Sequence, residues 1–236
     1  ANTAAITSND TDIAANVTNI ATNVTNIATN ATNIATNVTN IATNVTNIAA
    51  NESDIQDNTG KISNFSNGAR LYFDQNGNIA VGFESLINNT TGTKNSASGY
   101  QTLYKNTTGI KNTASGYQAL YANTTGNRNS AYGFSALWNN TTGISNTASG
   151  TDALYSNITG SFNTASGLQA LYFNLGDANT ASGYQALYSN TTGKNNTASG
   201  TGALYSNTTG KNNTASGFQA LYNNTIGFNN TASGCL

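Results

Sequence analysis

Catalysis and ligation need groups that titrate, attack or coordinate, and this 236-residue chain carries few: eight Lys and Arg, nine Asp and Glu, one Cys and no His. Without His there is no Ser–His pair, and Cys235 has no imidazole to activate it. Zinc clusters of His and Cys cannot be assembled. Asp152 and Asp177 fall in different repeats and read as solvated carboxylates, not as a paired acid and base. The residue types point away from an enzyme, and no cofactor is expected. One spacing invites a metal: Asp74-Gln75-Asn76-Gly77-Asn78. A calcium loop of the EF-hand kind wants Gly after its third ligand and Glu at its twelfth position, where Ile79 and Ser85 stand here, so the stretch reads as a turn. Asn-x-Ser/Thr sequons recur, and those in polar turns (Asn89, Asn106, Asn190 and Asn207) are candidate glycan acceptors in a glycosylating host. A chain this rich in Asn and Thr also makes sequons by composition alone.

The elements that must position these residues follow from two periods. From Ile6 to Ile62 an Ile recurs every seventh residue, and four residues after an Ile stands Val17, Val24, Ala31, Val38 or Val45. Alternating steps of three and four are a coiled-coil seam with Val at a and Ile at d. The predicted seam is Val17, Ile20, Val24, Ile27, Ile34, Val38, Ile41, Val45 and Ile48. β-Branched residues at both positions favour three strands over two. Asn, Thr, Val and Ile are poor helix formers, so burial between chains has to hold such a helix together. Residues 58–77 read as a joint: Asp57-Asn58-Thr59-Gly60 and Ser66-Asn67-Gly68 end the helix, and Leu71-Tyr72-Phe73 and Ile79-Ala80-Val81 form a hairpin.

From residue 78 onward a unit of 17 residues repeats, shortened to 16 once, between Asn163 and Asn179. It reads Asn-Thr-Ala-Ser-Gly-Tyr-Gln-Ala-Leu-Tyr-x-Asn-Thr-Thr-Gly-x-x, and self-similarity of this kind predicts stacked coils. The ninth position predicts a core ladder of Leu103, Leu120, Leu137, Leu154, Leu171, Leu187, Leu204 and Leu221. The tenth predicts an aromatic ladder of Tyr104, Tyr121, Trp138, Tyr155, Tyr172, Tyr188, Tyr205 and Tyr222. Position 3 is Ala and position 5 Gly throughout, which suits close approach and a sharp corner. Each unit is read as a strand over Asn-Thr-Ala-Ser, a Gly corner, a second strand over Gln-Ala-Leu-Tyr and a polar turn, with Leu, Tyr and Asn stacking at ~4.8 Å. The expected fold class is fibrous, α then β: a parallel trimeric coiled coil (1–57), the joint (58–77) and a trimeric β-roll or β-solenoid (78–236).

Units such as Asn196-Thr-Ala-Ser-Gly200, Gly202-Ala-Leu-Tyr205 and Asn207-Thr-Thr-Gly210 resemble the head repeats of trimeric autotransporter adhesins. They are closer still to repeats of phage tail-fibre-like proteins that end in a self-cleaving chaperone domain, and the heptads resemble the stalks of both groups. The resemblance implies a homotrimeric fibre, extracellular, on a cell surface or on a virion, used for attachment. Two departures stand out: the coil precedes the roll, and these 236 residues read as neither a membrane-anchor barrel nor a chaperone domain, so both groups stay open.

Net charge is −1, with no basic footprint for nucleic acid, and no apolar run approaches the ~20 residues of a membrane span. Expected partners are the chain's own copies, surface glycans recognised by stacking and hydrogen bonds, or neighbouring fibres in a self-assembling filament. Regular Thr rows that order ice stand as the alternative of a different class, although turn Thr pairs do not suit one flat face. The last unit stops at Asn230-Thr-Ala-Ser-Gly-Cys235-Leu236 without its Leu-Tyr half. A solenoid end of that kind is expected to continue or to stack on another subunit.

Overall fold

The computed structural model of the chain describes residues 2–59 and 69–235. It divides into two units, Ala1–Asn58 and Thr59–Leu236. The first is a single helix, α1 (Asn2–Thr59), which at 1.5 Å per residue is roughly 87 Å long. Thr at the b and f positions of its heptads returns its hydroxyl to the carbonyl four residues back, as in Thr18 to Ala14 at 3.0 Å and Thr22 to Thr18 at 3.0 Å. These bonds satisfy the hydroxyls locally and add nothing between elements. No described helix is long and apolar enough to cross a membrane.

The second unit is a β-solenoid of about nine turns. It opens with a hairpin: β1 (Ala69–Phe73) pairs antiparallel with β2 (Ile79–Phe83), Phe73 facing Ile79. Ser66-Asn67-Gly68 and Ile62 lie outside the described residues. Nine three-residue strands then follow, one per coil: β3 (Ser96–Ser98), β4 (Thr113–Ser115), β5 (Ser130–Tyr132), β6 (Thr147–Ser149), β7 (Thr164–Ser166), β8 (Thr180–Ser182), β9 (Thr197–Ser199), β10 (Thr214–Ser216) and β11 (Thr231–Ser233). They form one 11-stranded sheet in sequence order, parallel from β2 onward. Register is held residue for residue, Ala97 beside Ala114 and Ala198 beside Ala215. The central Ala points inward and its two neighbours outward, as strand alternation requires.

The predicted second strand over Gln-Ala-Leu-Tyr is not there. Its residues form turns, with Gln118 at φ 53° and Leu120 at φ 54°. The reason is packing. Ala119 and Leu120 are adjacent and both fully buried, as are Ala136 and Leu137, whereas a strand sends neighbours to opposite faces. Left-handed backbone at alternate residues turns both side chains inward. It also directs successive N–H groups to different partners: Gln118 donates to Tyr100 of the preceding coil, Leu120 to Ala136 of the next and Tyr121 to Gln118 within the coil.

Between these walls lies a thin core of Ala at positions 3 and 8, Leu at 9 and Asn at 1 and 12. Each buried Leu contributes about 2 kcal/mol. The asparagines form two columns along the solenoid. In the first, Asn112 Nδ2 donates to Asn95 Oδ1 at 3.2 Å, and the Asn112 N–H donates to the same oxygen at 3.0 Å. In the second, Asn123 Nδ2 donates to Asn106 Oδ1 at 2.7 Å. The two columns meet on one carbonyl per coil: Gly126 O accepts from Asn112 Nδ2 at 2.8 Å and from Asn123 Nδ2 at 3.1 Å. Glycine is required at that position by space, because a Cβ on Gly126 would sit 2.3 Å from Asn123 Oδ1 and 2.6 Å from Gly143 O. The short coil keeps both columns, since the Asn179 N–H donates to Asn163 Oδ1 at 3.0 Å and Asn190 Nδ2 reaches Asn174 Oδ1 at 2.6 Å.

Candidate functional site

Three surfaces stand where a partner could act. The first is the seam of α1. Val17, Ile20, Val24, Ile27, Ile34, Val38, Ile41, Val45 and Ile48 are each 56 to 68% exposed in the single chain. Their three-four spacing sets them on one stripe of the helix.

The second surface is aromatic. Tyr104, Tyr121, Trp138, Tyr155, Tyr172, Tyr188, Tyr205 and Tyr222 stack in one row, half-buried, with neighbouring centroids 4.9 to 5.5 Å apart. Burial, reinforced by neighbouring Tyr155, Asp152 and Tyr188, pushes the Tyr172 hydroxyl above its ordinary pKa. Burial, then Tyr222, Tyr188 and Tyr184, does the same to Tyr205. At position 6 a second row, Phe83, Tyr100, Tyr117 and Phe134, stacks at 4.9 to 5.2 Å. The planes lie within 6° of parallel in that row, so each interior ring has both faces covered by its neighbours. Sugar stacking needs a free ring face, which the interior rings of these stacks lack. Beside these rings run glutamines, Gln118 Nε2 donating to Gln101 Oε1 at 2.8 Å, while Trp138 Nε1 donates to Gln118 Oε1 at 3.2 Å.

The third surface is the polar turn with its sequons, whose asparagines are engaged in the coil. Asn106, Asn190 and Asn207 are fully buried members of the second column, each donating its Nδ2 to a column neighbour and to a Gly carbonyl. Asn89 is half-buried and donates its Nδ2 to Gly92 O at 3.0 Å. A glycan on any of these nitrogens would replace the bonds that close the coil. The Thr of the turn is also engaged: Thr107 Oγ1 donates to Thr124 O and Thr124 Oγ1 to Thr141 O, both at 3.1 Å.

Predicted core leucines Leu103, Leu120, Leu137, Leu154, Leu171, Leu187 and Leu204 are fully buried, and Leu221 in the last complete coil is partly so. The Asp74-to-Asn78 stretch is a hairpin turn whose carboxylate is engaged by protein donors. Asp74 Oδ1 accepts the Asn78 N–H, and Oδ2 accepts the Asn78 amide and the Tyr72 hydroxyl, all at 2.8 Å. Because Asn78 opens the first column, Asp74 places a negative charge at that column's donor end. Burial alone would raise this carboxyl, but the hydrogen bonds from Asn78 and Tyr72 hold it below the usual range. Among the described residues no group of three or more His, Cys, Asp or Glu could hold a metal. Cys235 is free and exposed.

The fold defines the class: a β-solenoid repeat protein whose solenoid is preceded in the chain by one long helix. Comparison with protein-family models, curated proteins and solved structures finds no match.

Proposed function

We propose that the chain is one protomer of a non-enzymatic, extracellular homotrimeric fibre that mediates attachment, with α1 as a parallel coiled-coil stalk and the solenoid as a β-roll. The observation that carries this reading is the exposed Val/Ile stripe from Val17 to Ile48, interrupted only by Ala31, on a 58-residue helix. A lone helix of such poor formers is marginal in water, and tertiary burial is what holds helices of this kind. Each Ile or Val taken from water at the seam contributes about 1.5–3 kcal/mol, and β-branching at both a and d selects three strands. A rigid solenoid with repeating outward rows suits contact with a repetitive surface, on a cell or as the shaft of a viral tail fibre. Sedimentation equilibrium is expected to return three times the 24.3 kDa chain mass; a monomer or dimer overturns the trimer. Binding of the labelled fibre to intact cells, saturable and competed by unlabelled fibre, tests attachment.

Water ordering is favoured by one observation: outward Thr and Ser stand in columns at positions 2 and 4 of the strands, broken by Tyr132 in β5. Thermal hysteresis in the purified fibre would support it, and its absence removes it.

A further inference from the structure

From residue 78 onward the sequence holds six cations and three carboxylates, and three of those cations, Lys94, Lys111 and Arg128, occupy position 17 of three successive coils. All three are exposed. Backbone bonds fix their alignment, since Lys111 N–H donates to Thr93 O at 2.9 Å and Arg128 N–H to Ile110 O at 3.0 Å. The charges therefore originate one coil apart, about 4.8 Å, with no screening residue between them. Among the described residues none of the three forms an ion pair, whereas Lys194 further along the roll reaches Asp177 at 2.6 Å.

Two features say that this row is not simply a solvated face. Like charges at strand spacing oppose one another. In addition, position 17 lies in the left-handed region, with φ 59° at Lys94, 59° at Lys111 and 57° at Arg128. That region favours Asn and Gly over long side chains. The same chain uses the favoured type there in its last coils, at Asn195, Asn212 and Asn229. The first coils hold cations in a backbone that disfavours them, next to each other, and their one carboxylate, Glu84, accepts from Gln101 instead of pairing with them. Across the three coils the preceding residue changes from Thr93 to Ile110 to Asn127 and the cation from Lys to Arg, while the charge stays.

We propose that Lys94, Lys111 and Arg128 form a binding row for a linear anionic polysaccharide, one sulfate or carboxylate meeting one coil. This deepens the attachment reading above and rests on it. The one-coil step is close to the length of a pyranose residue in an extended chain, so an acidic sugar polymer lying along the roll can keep register with the cations. Single-stranded nucleic acid is the other linear polyanion, and it gains much of its affinity by stacking bases on aromatic faces. The interior rings of these stacks offer none: Tyr100, Tyr117 and Tyr121 each have both faces covered by neighbours 4.9 to 5.2 Å away, within 6° of parallel. Arg128 adds a planar fork that meets a carboxylate or sulfate through two N–H groups.

The test uses the full-length fibre and a size-defined heparin oligosaccharide as probe, with binding measured by calorimetry over a series of salt concentrations. The wild type is expected to bind with a steep salt dependence. Lys94→Gln/Lys111→Gln/Arg128→Gln should lose about tenfold or more in affinity and show a shallower salt slope, because fewer counterions are released. Lys194→Gln/Lys211→Gln, equal in kind but outside the row, should stay within about twofold of wild type. Unchanged melting of both variants shows that the fold is intact. Equal weakening in both variants, or no weakening in the first, overturns the row. Displacement of heparin by a single-stranded oligonucleotide more readily than by a sulfated glycan overturns the choice of ligand. The failures are separable: a fibre that remains trimeric and adheres to cells without heparin binding loses only this proposal, and a monomer that binds heparin through the row loses only the trimer.

Discussion

At the scale of single residues, backbone handedness sets the local energetics. Non-glycine residues at positions 7, 9 and 17 of most coils lie at φ near 50–60°. At position 9 the strain is offset by complete burial of Leu. Phe162 has no such offset, standing at φ 61° and 60% exposed at position 17. Phe162→Asn is therefore expected to stabilise the roll by about 1 kcal/mol, read from urea denaturation, and a lower midpoint would contradict the strain argument. Asp74 sets a pH dependence. Its carboxyl is depressed in the folded state, so the stability it contributes is present above the unfolded value of about 3.9 and is lost as pH falls through the lower folded value. Urea midpoints should fall between pH 5 and 2 more steeply in wild type than in Asp74→Asn. Parallel curves would show that the carboxylate is not an effective cap of the asparagine column.

Coils are held to one another by cooperating columns, and that is the scale at which a point change spreads. Asn140 Nδ2 donates to Asn123 Oδ1 at 2.9 Å, and Asn140 Oδ1 accepts from Asn157 at 3.0 Å. Asn140→Asp keeps the acceptor and removes the donor, leaving a carboxylate against Asn123 Oδ1 and the Gly143 carbonyl in a fully buried position. The expected loss is about 3–5 kcal/mol, since an uncompensated charge is left in the interior. Hydrogen exchange should show it first in the coils on either side, because a solenoid's stability is a sum of neighbour terms. Protection lost uniformly along the roll would mean that the columns do not act locally. Much of this element was legible beforehand: the Asn, Leu and aromatic columns follow from period alone. The second segment was misread as a strand, although adjacent Ala119 and Leu120 in a thin core already argued against alternation.

For the whole molecule, the proposed trimer concentrates risk in the seam. Ile34→Asn places one amide per chain at a d position, three in one layer, each without a partner in an apolar seam. The expected outcome is a loss of several kcal/mol in assembly, seen as a concentration-dependent fall in sedimentation mass and in helical circular dichroism. A variant that stays trimeric with unchanged melting would count against the seam as the site of association.

The sequence by itself determined what stacks on what. A seven-residue period in Ile and a 17-residue period in Asn, Ala, Gly, Leu and Tyr name the columns, because a fixed repeat length brings the same position over itself in every turn. It could not say which way each position points within a turn. That depends on φ at a few residues and on a cross-section narrow enough to draw Asn106, Asn190 and Asn207 inside, where they bond to Gly carbonyls instead of presenting sequons to solvent. Only the tertiary structure decided that stacked rings close off one another's faces. Only there does the row of Lys94, Lys111 and Arg128 prove to stand exposed, in left-handed backbone and without carboxylate partners. Periodicity is a property of the chain; direction and accessibility are properties of the packed coil.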